Sequence, residues 1–562
     1  MSLRNEALVA VGIGLVAALI PFHRALGFPF ALDDYTFLFK AAGIDPSPFQ
    51  VRRWLTVTGY YELGLALFGT KNLLSWHLVS FVVHAGNTVW VHVLARRFGA
   101  SRNAAWIASG LFASSPLAFT VLYWVAGIQE IASTLFLLAS VWFAMRAGRG
   151  RWISVPLFTA AVLCKESVMA APLALPLLLG RRSLRIAIAQ LAIGIGLFLA
   201  SGLHQRLDSD VSLPYATSFG TPFFVNLATL TVWFASPWRT YPDRVAGPQS
   251  SLVVPAVMIL GAIVAVQLVT RRRTQRPMLM AGAWFVALLL PVLPLYQHTY
   301  AYYLYAAQIG WLVLTGIAIE RAAQRFGRRV EPAVLAAGAA VVALSIFFAA
   351  RNASTHENMT LESSTVPWDS VVRYGRAAEA LAAAARNAKA QQPDLQQIAF
   401  FSLNPPGPGP LTPGKFEPGM VRVRKIPIRE ALRDGKLVSL HVPGLTGVWV
   451  DSLSTSVEGP ETAIFFAFGF NDLTRMSNLS EAYCAQAQGN LMFGTRSAAE
   501  RDLERALSFA PDHALSRLLL AGLRIENGQV AEARALVTGL RAEDLPAEIQ
   551  PLLVEIQKVL EE

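Results

Sequence analysis

Apolar runs close to 20 residues long, separated by short segments in which arginine recurs, fill the first 350 positions, and this alternation leaves few folds open. A helical run of that length crosses a bilayer, and inside lipid only a helix or a closed barrel satisfies every backbone polar group. The arginines give the orientation, since positive charge is retained on the cytoplasmic side. Runs at Leu8 to Pro21, Leu73 to Leu94, Ala104 to Leu122 and Ile128 to Met145 alternate with Arg4, with Arg96, Arg97 and Arg102, and with Arg146, Arg149 and Arg151. The N-terminus is therefore expected in the cytoplasm and the segment from Asp33 to Lys71 outside. Between Arg151 and Arg181-Arg182 lie roughly 30 residues, too many for one span and suited to a hairpin of two short ones with Lys165-Glu166 at its outer tip.

Ile186 to Leu203 then leads outward, Val253 to Val269 inward to Arg271-Arg272-Arg273, Met278 to Leu295 outward, and Ala301 to Ile319 inward to Arg321, Arg325, Arg328 and Arg329. Ala333 to Ala349 places everything after Arg351 outside. Counting Phe223 to Pro237 as a crossing would put the triple arginine on the outer side, so that segment is read as an interfacial or re-entrant helix. The expected fold class is a polytopic α-helical membrane protein of about eleven spans, with termini on opposite sides.

The composition supports this class. A chain of 562 residues with 54% hydrophobic and 15% charged residues is too apolar for an ordinary soluble multidomain protein. Its net charge of +11 sits at the ends of apolar runs, so it reads as topology and as attraction to anionic headgroups rather than as a nucleic-acid surface. Two cysteines, Cys164 and Cys484, are too few and too differently placed to imply a disulfide framework or a thiolate metal site. No small-residue cleavage site follows the first apolar run, which is read as a retained span.

After Arg351 the composition becomes that of a soluble region. A helix is expected at Val371 to Ala388 and a strand at Ile398 to Leu403, followed by a Pro/Gly-rich loop at Asn404 to Gly414. Further strands are expected at Leu437 to Val442, Gly447 to Val450 and Thr462 to Phe468, which suggests a small α/β unit. From Ser497 the period is helical, at Ala498 to Phe509, Ala514 to Glu526, Ala531 to Leu540 and Ala547 to Leu560. These helix hairpins resemble tetratricopeptide repeats with a spacing that departs from the usual period of about 34 residues. The expected domains are residues 1–350 in the membrane, 351–490 as an extracytoplasmic α/β region and 491–562 as the repeat-like region. Such a region offers a surface for a protein partner, or serves only as a soluble helical cap.

The chemistry centres on Asp33-Asp34, just after the first span. Two adjacent carboxylates at the mouth of a membrane bundle are costly to leave without a partner, because desolvation disfavours the ionised form. Such a pair deprotonates a hydroxyl, holds a metal or steadies positive charge on a sugar ring; the bland alternative is a turn or a helix N-cap before Tyr35. His77 and His84 are seven positions apart and share a helix face with a spacing that is not a metal motif, so hydrogen bonding between helices is the plainer account. Glu130 positions a substrate or metal, or pairs with an external arginine. Lys165-Glu166 is either a mutually satisfied pair or an anchor for a phosphate. Tyr296, Tyr300, Tyr302, Tyr303 and Tyr305 form an interfacial belt or line a sugar or polyprenyl groove.

These motifs, in this order and on one expected side of the membrane, resemble the GT-C glycosyltransferases. Within them the chain is similar to the transmembrane and tetratricopeptide-repeat O-mannosyltransferase-like proteins. The resemblance rests on Asp33-Asp34, on Trp76-His77-Leu78-Val79 with His84, on Pro116 with the run from Val121 to Glu130, and on Leu163-Cys164-Lys165-Glu166-Ser167. It covers residues 1–350 and the helical C-terminus. Where that family has Glu-Arg-Tyr-Leu-Tyr, this chain has Ala301-Tyr302-Tyr303-Leu304-Tyr305, so His298 or Arg52-Arg53 would take the place of the arginine that meets a lipid phosphate.

The resemblance implies a sugar moved from a polyprenyl-phosphate donor to an extracytoplasmic protein or glycan acceptor, with inversion at the anomeric carbon. It implies Asp33 or Asp34 as the base, Lys165, Arg52, Arg53 and His298 around the donor phosphate, and Glu130, Glu166, His77 and His84 positioning substrate. No cofactor is demanded, and a divalent metal is left open. The location implied is a bacterial inner membrane, with the N-terminus cytoplasmic and the C-terminal domain periplasmic. The alternative is a non-catalytic scaffold or a flippase-like protein for lipid-linked sugars. An ion-coupled transporter fits less well, since the bundle shows no internal repeat.

Overall fold

The computed structural model describes residues 3–46, 50–201, 217–236, 239, 244–245, 252–258, 272–295, 298–326, 331–360, 367–401, 427–450, 453, 461–468, 472–492, 494–547 and 549–562. The chain forms two compact units, Met1–Gly375 and Arg376–Glu562.

The first unit is helical. Its elements are α1 (Leu3–Phe22), α2 (Asp33–Ala41), α3 (Tyr60–Phe68), α4 (Leu73–Arg97), α5 (Arg102–Ala113), α6 (Phe119–Tyr123), α7 (Ile128–Ala144), α8 (Ser154–Cys164), α9 (Leu175–Leu179), α10 (Leu184–Ala200), α11 (Thr221–Ala235), α12 (Arg272–Leu289), α13 (Ile309–Phe326) and α14 (Glu331–Asn358). Two short strands, β1 (Arg244–Val245) and β2 (Thr299–Tyr300), pair antiparallel between α11 and α13.

Among the described residues five helices are long and apolar enough to cross a membrane, or up to seven if each of two bent pairs is one span. The expected eleven are not reached, for identifiable reasons. The run at Ala104 to Leu122 is broken where Ser115 caps a 3-10 turn starting at Pro116, and its two parts meet at 44°. The run at Ala301 to Ile319 bends by 56°. The hairpin between Arg151 and Arg181 is an 11-residue α8 followed by short helical turns, among them Ala171–Ala174 and Leu175–Leu179, in which Pro172 and Pro176 each remove a backbone donor. Thr221–Ala235 and Arg276–Leu289 are apolar but short, and most of Val253 to Val269 lies outside the described residues, as do Tyr296 and the loop Asn404 to Gly414. The segment from Asp33 to Lys71, expected as a loop, instead folds into α2, a π-helical turn (Trp54–Gly59) and α3.

The core of this unit is aromatic and aliphatic, with Phe22, Phe81, Phe112, Phe119, Phe158, Trp233 and Tyr305 buried. At the far end of α14, Arg24 donates to Glu357 at 2.7 Å, and the Tyr123 hydroxyl donates to the same carboxylate.

The helix α15 (Ser370–Gln391) crosses the boundary at Gly375, and the second unit continues from it into a four-stranded sheet of β3 (Gln397–Phe401), β4 (Thr446–Trp449), β5 (Thr462–Phe468) and β6 (Asp472–Arg475), in the order β4-β3-β5-β6. Strand β3 is parallel to β4 and β5, while β5 and β6 are antiparallel. Consecutive burial of Ile398, Ala399, Phe400 and Phe401 means that both faces of β3 are covered. The strand expected at Leu437 to Val442 is instead the helix α17 (Lys436–His441), which follows α16 (Pro427–Leu432). Gly435, with φ 86°, makes the left-handed turn that starts it.

The chain ends in α18 (Leu479–Met492), α19 (Arg496–Phe509), α20 (Ala514–Glu526), α21 (Val530–Val537) and α22 (Gln550–Glu561). Ala499, Leu503 and Ala506 recur at helical spacing and are buried against Cys484 and Ala487 of α18 or the sheet, so these helices pack as hairpins. Gly494 and Gly528, both with positive φ, turn the chain between helices.

Candidate functional site

Asp33 and Asp34 open α2, where they suit the positive end of the helix dipole. Leu32 just before them has φ 51°, a left-handed conformation that bulky residues rarely hold. The geometry separates the two carboxylates. Asp34 is buried and accepts from the Tyr61 hydroxyl at 2.6 Å, from the Ala126 amide at 2.7 Å and from the Ala31 amide at 2.8 Å. Burial pushes its carboxyl up to about 7, against the pull of those three donors. Asp33 is exposed and lines a cavity of about 50 Å³.

The tight turn before α7 forms another wall. Gly127 is required there, because a Cβ would lie 2.3 Å from the Val121 carbonyl oxygen. That close approach presents the Ala126 amide to Asp34 and brings Trp124, Gln129 and Glu130 to the cavity. Arg53, Lys165, His298, Tyr300, Tyr302 and Tyr303 complete the lining.

Lys165 is buried, with its Nζ 2.7 Å from Glu130 Oε1 and 4.4 Å from the centre of the Tyr302 ring. Burial lowers its ammonium from the ordinary lysine range, and the Glu130 carboxylate opposes that shift. Glu166 turns away to two guanidiniums. It accepts from Arg52 Nε and Nη2 at 3.2 and 2.8 Å, and from Arg53 Nε and Nη2 at 2.7 and 2.6 Å. Arg53, like Leu32, has a positive φ, of 53°, and the π-helical turn Trp54–Gly59 follows it. Among the described residues of the first unit these are the only two non-glycine positions with positive φ, and each adjoins the cavity's charged groups.

The account of Lys165-Glu166 as a mutually satisfied pair is therefore corrected. Each residue is paired, but with Glu130 in one case and Arg52-Arg53 in the other. Glu130 pairs with a lysine and not with an external arginine. Arg52, Arg53 and Lys165 thus stand with Glu130 and Glu166 next to Asp33.

The structure brings Asp33, Arg53, Glu130, Lys165 and His298 together at one cavity, with Arg52 and Glu166 directly behind it. His77 and His84 do not join them. The ring of His77 bridges the carbonyls of Phe28 and Leu122, both at 3.0 Å, and His84 lies 2.6 Å from the Tyr305 hydroxyl and 3.1 Å from the Ala113 carbonyl. Both are fixed between helices. Tyr305 likewise packs in the core, whereas Tyr300, Tyr302 and Tyr303 line the cavity. Among the described residues no group of three or more His, Cys, Asp or Glu comes together in a way that would hold a metal.

Sequence reasoning missed Gln129, Tyr61 and Trp124 at this site. Only the Val121 to Glu130 run, which contains Trp124 and Gln129, carried any signal for them.

A second and larger cavity, of about 240 Å³, lies elsewhere in the bundle. Leu94, Phe98, Leu138, Val141, Trp284 and Val313 are among its walls, and none of the expected site residues reaches it.

A tetratricopeptide-repeat family model matches residues 491–556, so the helical hairpins at the C-terminus are a tetratricopeptide-repeat region. No curated protein and no solved structure matches the chain.

Proposed function

We propose that the chain is a membrane glycosyltransferase that moves a sugar from a polyprenyl-phosphate donor to an extracytoplasmic protein or glycan acceptor. The observation that carries this reading is the exposed Asp33 carboxylate sharing a cavity with the buried Lys165-Glu130 pair and with Arg53. A general base must reach the proton it takes, and Asp33 faces the cavity while Asp34 is enclosed by its three donors. Asp33 deprotonates the acceptor hydroxyl, and Asp34 fixes the start of α2 against α3 and the Ala126 turn. The guanidiniums of Arg52 and Arg53 and the ammonium of Lys165 stabilise the departing lipid phosphate, with His298 beside it. Displacement by the acceptor oxygen breaks the bond from the anomeric carbon to the phosphate oxygen and inverts that carbon.

The finer topology belongs to the same proposal. It comprises about eleven spans, a cytoplasmic N-terminus, an extracytoplasmic α/β region and a bacterial inner-membrane location. The repeat region at 491–556 would then meet a protein, either the acceptor or an adaptor.

A scaffold reading is favoured by a different observation, namely that Glu166, Lys165 and Asp34 are already satisfied within the chain. The deciding experiment is turnover of a radiolabelled polyprenyl-phosphate sugar by the purified full-length chain. Product formed by wild type and lost in Asp33→Asn supports the enzyme. Lipid bound without turnover under every acceptor offered supports the scaffold.

A further inference from the structure

Gln129 occupies the first turn of α7, one position before Glu130, and its side chain is 3% exposed. It lines the same cavity as Asp33, and its Oε1 has no hydrogen-bond partner. A buried amide acceptor left without a donor is costly, and most such groups in folded proteins are paired. The nearest hydroxyls of its own helix are committed elsewhere, because Ser133 and Thr134 both donate to the Glu130 carbonyl. Lys165 is held by Glu130 and by the Tyr302 ring. The Gln129 Oε1 is thus left open to a donor that enters the cavity.

The walls limit what that is. Trp124, Tyr300, Tyr302 and Tyr303 present ring surfaces, and between them stand an amide, a carboxylate and a cation. Ring faces combined with a few fixed polar groups suit a ligand that is apolar on one face and carries hydroxyls at its rim. A pyranose has that form.

We propose that the Gln129 carboxamide accepts a hydrogen bond from a hydroxyl of the donor's sugar, and that Gln129 is thereby the residue that distinguishes sugar-bearing lipid from bare polyprenyl phosphate. This rests on the glycosyltransferase reading, and it assigns the sugar to the Gln129 side of the cavity and the phosphate to the Arg53-Lys165 side.

The test measures binding of polyprenyl-phosphate mannose, polyprenyl-phosphate glucose and bare polyprenyl phosphate to the full-length chain in nanodiscs, for wild type, Gln129→Leu and Gln129→Glu. The expectation is that wild type prefers at least one sugar-bearing lipid. Gln129→Leu loses about tenfold or more of its affinity for that lipid and none for bare polyprenyl phosphate, while Gln129→Glu, which keeps an acceptor, retains part of the preference. Gln129→Met, which keeps the length without the amide, carries the same expectation if the leucine variant is not recovered folded. Equal weakening of all three lipids, or no weakening, overturns the assignment of Gln129 and leaves the enzyme reading standing. A wild type that binds bare and sugar-bearing lipid equally overturns the assignment as well. A wild type that binds none of the three overturns the glycosyltransferase reading and this inference together.

Discussion

At its first turn α7 borders a cavity of about 50 Å³ walled by charged, amide and aromatic groups, while further along, at Leu138 and Val141, the same helix borders one of about 240 Å³ walled mainly by aliphatic and aromatic side chains, with Glu320 and Arg321 also in its lining. The second cavity is the larger, but the first holds the denser set of charged groups. A largely apolar void costs little to leave without a polar occupant. A cluster of Glu130, Lys165, Glu166, Arg52 and Arg53 must be held by mutual pairing, since desolvating each charge alone costs several kcal/mol. A fold that keeps such a cluster beside two residues with left-handed backbone maintains it at a cost. That cost, more than size, is why the smaller cavity is the candidate site.

The comparison depends on the two ends of the helix facing opposite sides of the membrane, and the largest expected effect tests that. With Cys164 and Cys484 both buried, cysteines introduced singly at Gly150, Gln275, Asp45 and Gly407 report topology against a low background. An impermeant external thiol reagent is expected to label the Asp45 and Gly407 positions and leave Gly150 and Gln275 untouched. External labelling at Gln275 would make the Thr221–Ala235 helix a true crossing and would reverse the orientation of everything after it.

Next in size is the contrast between the adjacent carboxylates. Asp33→Asn is expected to lower turnover by about 10² to 10⁴ with the melting temperature unchanged, the usual scale for loss of a general base. Asp34→Asn is expected to act on stability instead, because an amide cannot accept from the Tyr61, Ala126 and Ala31 donors all at once. Full activity in both variants would remove the base from α2 altogether.

How much of this was legible beforehand depended on separation along the chain. Patterns confined to one element were read closely: β5 at Thr462–Phe468 and α20 at Ala514–Glu526 fall where period and turn residues put them. The run at Leu437 to Val442 failed for a physical reason, since a six-residue apolar stretch has no period long enough to separate strand from helix. The candidate site was legible as a set of residue types and not as a set of pairings. Glu166 meets Arg52 and Arg53 across 114 and 113 positions, and Asp34 meets Tyr61 across 27, which no local spacing encodes. Sequence adjacency suggested that Lys165 and Glu166 satisfy each other, but the extended backbone of Lys165 sends the two side chains to different partners. Gln129 was legible only as a member of the Val121 to Glu130 run, because a single glutamine among apolar residues carries no pattern of its own.

A smaller effect is expected at Lys165. Lys165→Ala should weaken polyprenyl-phosphate donor binding by roughly tenfold to a hundredfold, the value of one charge-assisted contact to a phosphate. It also leaves Glu130 buried without its partner, a change that costs about 3–5 kcal/mol in comparable pairs and can unfold the chain. Lys165→Met combined with Glu130→Gln removes both charges and is expected to recover the melting temperature without recovering the donor affinity. Exchange of Lys165 and Glu166 should rescue neither, since it would place a carboxylate against Glu130 and a cation against Arg52 and Arg53. Donor affinity unchanged in the double variant would move the phosphate site away from Lys165.

The last effect concerns pH and isolates Asp34 from the rest of the cluster. Its carboxyl is raised by burial to about 7 in the folded chain, whereas an unfolded aspartate titrates near ~3.9. The folded state therefore holds this proton more tightly than the unfolded state does. The associated stability is fully present below the unfolded value and is lost as pH rises towards 7. Between pH 5 and pH 8 this one group should lower stability by on the order of 2–3 kcal/mol, read as a downward drift of a few degrees in the melting temperature. Asp33 adds to the shift in the same direction, and the Tyr61 hydroxyl and the Ala31 and Ala126 amides oppose it. Asp34→Asn cannot titrate, so its melting temperature should start lower at pH 5 and drift less by pH 8. A drift of equal slope in wild type and Asp34→Asn would assign the pH dependence to other groups and would mean that the three donors, rather than burial, decide the charge of Asp34.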